Sequence, residues 1–376
     1  MHRRTALAGL AALATTPLAT QAAPAKGPWK LGQSTALTGP LGDLGQAMHV
    51  GAKACFAEVN AKGGVHGRQI QLTTLDDGYD AKRAVANVEG LMEDADTFAL
   101  FNCMGTPSIA AMLPKVIESG MPFFAPFTGA LLARPKGVRN VFNIRASYPD
   151  EAEQLVQHLA TIGIKKIAVA HQNNAFGKEV LDGAQVAMQR HKLTNAPTAT
   201  VENDGSDAAK AAATLIEAQP EAVIVGLAGK PTLDFVKAIR AKRRGLALYA
   251  LSVMGTPATL KALGDDAVGI AISQVVPSPL ATVVPVVRDF RAAWKASGTA
   301  LEPSHLALEG YINARVFVEA LKKAGPNATR ASFIDSTWGM KRQDLGGFEV
   351  SFTEPGRNAS RFVELTMVGR DGRLVR

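Results

Sequence analysis

Three short stretches place glycine beside hydroxyl and apolar side chains just after strand-like runs. The first is Asn102-Cys103-Met104-Gly105-Thr106-Pro107-Ser108, which follows the apolar run 97–101 and precedes a helical pattern over 107–118. Gly105 permits backbone conformations closed to other residues. Thr106 suits a helix N-cap, and Pro107 suits the first helical position. The free N–H groups of that helix start, with the Thr106 and Ser108 hydroxyls, suit an anionic or carbonyl oxygen. The same residues also make an ordinary helix cap, so the stretch alone decides nothing. The second, Pro126-Phe127-Thr128-Gly129-Ala130, sets an apolar ring against a hydroxyl and a flexible glycine. The third runs from Leu37 through Gly39-Pro40 to Gly42 and Leu44. In the second half of the chain, His171-Gln172-Asn173-Asn174-Ala175-Phe176-Gly177 again follows a strand pattern and opens a helix. Phe176 there either covers the apolar part of a ligand or fills the core. The turns Gly226-Leu227-Ala228-Gly229 and Ser252-Val253-Met254-Gly255 end the next two strand patterns.

Enzyme motifs do not fit these stretches. Gly39, Gly42 and Gly45 are spaced G-x-x-G-x-x-G, not the G-x-G-x-x-G of a dinucleotide turn, and Pro40 removes a backbone donor. Tyr79, Tyr148, Tyr249 and Tyr311 are followed four positions on by Arg83, Ala152, Val253 and Arg315, so no Tyr-x-x-x-Lys pair exists. A G-x-S-x-G elbow, a P-loop and an H-E-x-x-H are missing as well. No catalytic residue, cofactor or metal is expected. With two cysteines and no nearby histidine pair, a zinc site has no donor set.

The elements that must position these stretches alternate almost from the start. Strand patterns at 30–34, 69–75, 97–101 and 122–125 are separated by helical ones at 44–61, 81–93 and 107–118. The order βαβαβαβ predicts a parallel, doubly wound α/β sheet, in which ligands bind at the carboxyl ends of strands. The alternation restarts with a helix over 150–162. Strands follow at 166–170, 198–201, 222–225, 246–251 and 268–274, with helices at 176–191, 208–219 and 233–243 between them. Helices over 286–297, 307–324 and 330–336 come next. The tail segments 346–352 and 361–368 alternate like antiparallel strands.

The composition, 47% apolar and 20% charged residues over 376, supports a large core, and the length suggests two domains. The start reads as an export signal over 1–25: a basic Arg3-Arg4 pair, the uncharged run 6–14, then small residues at 20–25. The arginine pair leaves a Sec or a twin-arginine route open. No later apolar run is long enough to span a bilayer. The net charge of +8 is dispersed. Its densest run, from Lys237 to Arg244, carries no interleaved aromatic residue and reads as a solvated helix end, so no nucleic-acid partner is expected. Cys55 and Cys103 either pair in an oxidising compartment or stay as buried thiols.

Several of these stretches together resemble the branched-chain amino-acid (leucine/isoleucine/valine) binding protein family, the type I periplasmic solute-binding proteins of ABC importers. The resemblance is carried by Leu37-Thr38-Gly39-Pro40, Val59-Asn60-Ala61-Lys62-Gly63-Gly64-Val65-His66-Gly67-Arg68, Asp76-Asp77-Gly78-Tyr79-Asp80 and Gly105-Thr106-Pro107-Ser108. It continues in Thr128-Gly129-Ala130, Arg145-Ala146-Ser147-Tyr148-Pro149-Asp150-Glu151 and Asn174-Ala175-Phe176-Gly177. It implies two Rossmann-like lobes joined by three crossovers near Ala146, Val275 and Arg357. Lobe 1 would then hold 26–146 and 276–357, and lobe 2 would hold 147–275 and 358–376. It also implies a monomeric periplasmic protein that closes on a small solute and delivers it to importer permease subunits. A ligand-sensing module for a receptor is the alternative, with a doubly wound oxidoreductase behind it.

By the same resemblance, a ligand carboxylate would sit on the loops of Met104, Gly105 and Thr106 and of Phe127, Thr128 and Gly129, with Phe176 as an aromatic contact. Leu37, Leu44, Leu227 and Met254 complete the expected apolar lining. Amino-acid binders of the family hold the ammonium with an acid in the loop matching residues 252–255 and a tyrosine in the loop matching 226–229. This chain has neither, unless another acid such as Glu179 reaches in. A buried ammonium without a partner costs several kcal/mol. The expected solute is therefore a carboxylate- or amide-bearing molecule with an apolar or aromatic body.

Overall fold

A computed structural model describes residues 27–375, and of 194–196 the backbone alone. The expected export segment, residues 1–25, lies outside the described residues. The chain begins with β1 (Trp29–Thr35), α1 (Gly42–Ala61), β2 (Ile70–Asp76), α2 (Ala81–Glu93), β3 (Thr97–Phe101) and α3 (Thr106–Ser119). β4 (Phe123–Phe124) and β5 (Val141–Phe142) complete a five-stranded parallel sheet of order β2-β1-β3-β4-β5. The second half follows with α4 (Tyr148–Thr161), β6 (Lys166–Gln172), α5 (Ala175–Arg190), β7 (Thr194–Val201) and α6 (Ala208–Glu217). After these come β8 (Ala222–Gly226), α7 (Lys230–Lys242), β9 (Ala247–Ala250), α8 (Pro257–Leu263) and β10 (Ala271–Gln274). Strands β6 to β10 are parallel.

Helices α9 (Pro285–Ala296), α10 (His305–Ala324) and α11 (Arg330–Trp338) then return to the first sheet. Phe317 on α10 and Phe333 on α11 pack edge-on and tilted against Phe124 of β4, at centroid distances of 5.2 and 5.9 Å. These rings share one core with Trp29, Phe101 and Phe142. The tail gives β11 (Gln343–Asp344), β12 (Glu349–Val350), β13 (Glu364–Val368) and β14 (Leu374–Val375). The tail strands run antiparallel as expected, each to a partner of its own. β12 pairs with β11, and β13 joins the second sheet against β10 in the order β14-β13-β10-β9-β8-β6-β7.

Local chemistry sets the helix starts. Asp80 caps α2 through the Arg83 N–H (2.8 Å), Asn174 caps α5 through the Gly177 N–H (3.1 Å), and Ser147 and Asp150 form a capping box on α4. Two expectations change. The N-cap of α3 is Gly105, with Thr106 already in the first turn, so the Thr106 hydroxyl is free for other work. Arg240 is not solvated: it is buried and donates to the carbonyls of Arg244, Leu246, Asp266 and Val268, closing the end of α7. Cys55 and Cys103 are separate buried thiols. Burial pushes Cys103 up to about 12 and Cys55 higher still, so both stay protonated at neutral pH.

Two of the segments passing between the sheets lie side by side. Ala359 N–H donates to Asn143 O (2.8 Å), and Ser360 N–H donates to Ile144 O (2.9 Å). Among the described residues, no helix is long and apolar enough to cross a membrane.

Candidate functional site

Where the two sheets face each other, the strand-end loops enclose a chamber of about 20 Å³. The first half supplies Leu41 and Leu44 at the start of α1, Tyr79 after β2, Met104, Gly105 and Thr106 at the start of α3, and Phe127 after β4. Tyr148, Phe176, Ala228 and Val253 close it from the start of α4 onwards. The walls belong to one apolar cluster that runs from Leu41, Met104 and Phe127 to Tyr148, Phe176 and Val253. Tyr148 and Phe176 meet edge to face at 5.3 Å. None of the lining residues is charged.

Glycine shapes this chamber at two places. Gly105 has φ +98, and a Cβ on it would lie 2.6 Å from the Tyr79 ring. A Cβ on Gly129 would lie 2.5 Å from the Tyr148 ring. Each tyrosine thus lies directly over a glycine of a strand-end loop.

The polar groups are few and leave a defined surplus. Thr106 Oγ1 and Thr128 Oγ1 are 2.7 Å apart, and Thr128 Oγ1 accepts the Ala130 N–H at 3.1 Å. Two hydroxyls carry two protons, and their mutual bond uses one. Whichever donates, one hydroxyl proton remains for a guest oxygen. Pro107 has no N–H, and the Thr106 and Ser108 amides at the start of α3 have no intrahelical acceptor. The Ser108 hydroxyl is buried without a partner. Of these groups Thr106 lines the apolar enclosure, where a spare donor suits a carbonyl or carboxylate oxygen.

Behind the loops sits a buried ionic cluster. Arg134 donates to Ala130 O (2.8 Å), Thr128 O (3.3 Å) and Arg145 O (3.0 Å), so one guanidinium fixes the second loop to the crossing segment. Arg145 donates to Glu151 (3.1 Å) and Ser252 Oγ (2.5 Å) and lies 3.7 Å from Glu309. Its guanidinium stands 5.4 Å from the Phe127 ring centre and 5.7 Å from that of Tyr148. Burial pulls the Arg145 guanidinium down, and Glu309 and Glu151 more than offset it. Burial pushes the Glu309 carboxyl up to about 7 against the pull of Arg145.

The two halves also touch through polar bonds. Thr256 Oγ1 donates to Asp43 at 2.5 Å, and Glu179 accepts from the Leu131 and Leu132 amides at 2.9 and 3.2 Å. A Cβ on Gly229 would collide with Leu41 and Pro40 O, both at 2.5 Å. The cleft is closed. Glu179 is therefore spent on the turn at 131–132 and does not line the chamber.

Of the residues expected from the sequence, Leu44, Met104, Gly105, Thr106, Phe127 and Phe176 line the chamber. Thr128 and Gly129 stand immediately behind, through the Thr106 hydroxyl and the Tyr148 ring. Leu227 and Met254 do not line it: both are packed inside the core around β8 and β9, and their neighbours Ala228 and Val253 face the cleft instead. Leu37 also lies outside the lining, with its amide on Asp76. Sequence reasoning missed Leu41, Tyr79, Tyr148, Ala228 and Val253. Tyr79 and Tyr148 fall in stretches that carried the family resemblance, which was the available signal. Among the described residues, no three metal-ligating side chains cluster.

Comparison with known proteins adds to this geometry. A family model described as periplasmic binding protein matches residues 28–373. The chain belongs to the periplasmic binding protein family. A Leu/Ile/Val-binding protein homolog 7 from Brucella abortus is 24% identical over 97% of this chain and 95% of its own length. Among solved structures, a possible leucine/isoleucine/valine-binding protein from Rhodopirellula baltica superimposes with a TM-score of 0.87 at 31% identity. That match covers 93% of this chain and 96% of that one. A substrate-binding periplasmic protein from Ralstonia solanacearum gives 0.86 at 30% identity over 92% and 99%. This periplasmic binding protein thus has the type I fold, two lobes on parallel sheets, with the cleft where the loops above converge.

Proposed function

We propose that the protein captures a small carboxylate- or amide-bearing solute with an apolar or aromatic body, by closure of two lobes, and delivers it to an ABC importer in the periplasm. The lobes are 26–146 with 276–357, and 147–275 with 358–376. The solute is held, not transformed. The observation that carries this reading is the Thr106 hydroxyl at the α3 start, backed by Thr128, in an otherwise apolar chamber walled from both sheets. An ordinary α-amino acid fits poorly, because an ammonium in that chamber would face no acid. Its desolvation would cost several kcal/mol.

A thermal-shift screen over amino acids, aromatic acids, short amides and dicarboxylates tests the proposal. A true ligand raises the melting temperature and compacts the protein in small-angle scattering. Stabilisation by leucine or valine at micromolar concentration would contradict the chemistry assigned to the solute. The absence of any stabilising compound, or turnover of one, would contradict capture itself.

A further inference from the structure

The chamber is not the whole cleft. An outer space of about 310 Å³ adjoins it, with Leu41, Tyr79 and Ala228 lining both. That space is more than ten times larger than the chamber and is likewise walled from both lobes, by Pro40, Gly78 and Pro107 on one side and Gln172, Asn174 and Asn203 on the other. No charged side chain lines it. The flanking cations Lys178 and Lys230 are already paired with Asp182 (2.6 Å) and Asp234 (2.5 Å).

The three carboxamides form one bonded group, and its inventory is lopsided. Gln172 Nε2 and Asn174 Nδ2 both donate to Asn203 Oδ1, at 3.0 and 2.7 Å. Asn203 Nδ2 donates to Asn173 O (3.2 Å). Gln172 Oε1 accepts the Ala228 N–H (3.1 Å), and Asn174 Oδ1 accepts the Gly177 N–H (3.1 Å). Asn203 Oδ1 accepts two bonds and the other two carbonyl oxygens one each, while each NH₂ uses one of its two protons, so three N–H donors remain against two oxygen lone pairs. The surplus is N–H donors, without a cation beside them.

We infer that the solute is longer than an amino acid and bears a neutral oxygen acceptor, an amide carbonyl or an ether, at the end away from its carboxylate, received by Gln172, Asn174 and Asn203. The inference rests on the capture reading above, with the inner oxygen on the Thr106–Thr128 side. A second carboxylate at the far end would find donors but no counter-charge, and a methyl group would leave those donors without an acceptor.

Isothermal titration with 3-phenylpropanoate, 3-(4-acetamidophenyl)propanoate and 3-(4-carboxyphenyl)propanoate tests this, on the wild type and on Asn203→Asp. Asn203 is exposed at the rim, so the variant keeps the fold, and a melting curve checks that. The aspartate keeps the acceptor for Gln172 and Asn174 but removes the Asn203 donors and adds a negative charge. We expect the acetamido acid to bind the wild type about tenfold tighter than the unsubstituted acid. In N203D that gain should vanish, while the unsubstituted acid changes by less than about threefold. Equal affinity of the three acids, tightest binding of the dicarboxylate, or a gain that survives in N203D would overturn the inference and leave capture intact. So would failure of all three acids beside a compact hit from the wider screen. A wider screen without any ligand would instead remove the capture reading on which it rests.

Discussion

Thr106 and Thr128 share one hydrogen bond and leave one proton, so they act on a guest as a pair. Replacing either with Val removes the spare donor together with the bond. We expect each single variant to raise the dissociation constant of the true ligand by about 10- to 100-fold, and the double variant to cost little more than either. Titration calorimetry on the three variants reads this, and additive losses would mean that the hydroxyls act separately. Gly105→Ala should both strain a backbone at φ +98 and push into the Tyr79 ring, lowering stability by about 1–3 kcal/mol in a denaturant melt and weakening binding. Part of this was legible in the sequence. Glycine, hydroxyl and proline after a strand mark a helix start that can take an oxygen, which is why Met104, Gly105, Thr106, Phe127 and Thr128 were found. The tyrosines were not, because nothing in spacing says that a ring will fold back over a glycine far away in sequence. Leu227 and Met254 were misplaced by a single residue. Past the last paired residue of a strand the alternation of faces no longer holds, so which neighbour faces the cleft is set by the turn.

At the scale of elements, the start of α1 and the 131–132 turn each reach an element of the opposite lobe. Asp43 holds Thr256, the cap of α8, and Glu179 of α5 holds the Leu131 and Leu132 amides. Both bonds bridge the cleft, so they should slow release more than they affect encounter. Glu179→Ala is expected to speed ligand dissociation several-fold in stopped flow with an unchanged association rate; a change confined to association would contradict the clasp. Most long elements were readable, since α1, α2, α3, α4, α5 and α10 carry both apolar periodicity and end signals. α8 was missed because seven residues make barely two turns, too few to establish a period, although Thr256-Pro257 marks its start. β5 is two residues long and offers no alternation at all. The tail strands were recognised but their partners were not, because pairing depends on which sheet edge is open rather than on the strand's own pattern.

Across the whole molecule, Arg145 ties the lobes together, with Glu309 on α10 and Glu151 and Ser252 across the hinge. Burial pushes the Glu309 carboxyl up to about 7 in the fold, from an ordinary 4.5. Between those values the folded state holds more protons than the unfolded one, so this group's contribution to stability falls as pH rises. The half-buried His49 and the buried His305, pulled down to about 4 by burial, act in the opposite sense between about pH 4 and 6.5. The difference between variant and wild type isolates the carboxyl: the melting temperature of Glu309→Gln minus that of the wild type should climb from pH 4.5 to 7.5, and a flat difference would contradict the assignment. The two-lobe plan was legible because the βα alternation stops and restarts near residue 150. The return of α9, α10 and α11 to the first sheet was not legible from pattern, and only the family resemblance suggested it. The most direct measurement of all is a crystal structure of the protein with the best stabilising compound of the screen. It should show that compound between the lobes, with an oxygen in hydrogen-bond range of the Thr106 or Thr128 hydroxyl and its apolar body against Phe127 and Phe176. A compound bound elsewhere, with the chamber still filled by the protein's own side chains, would contradict it.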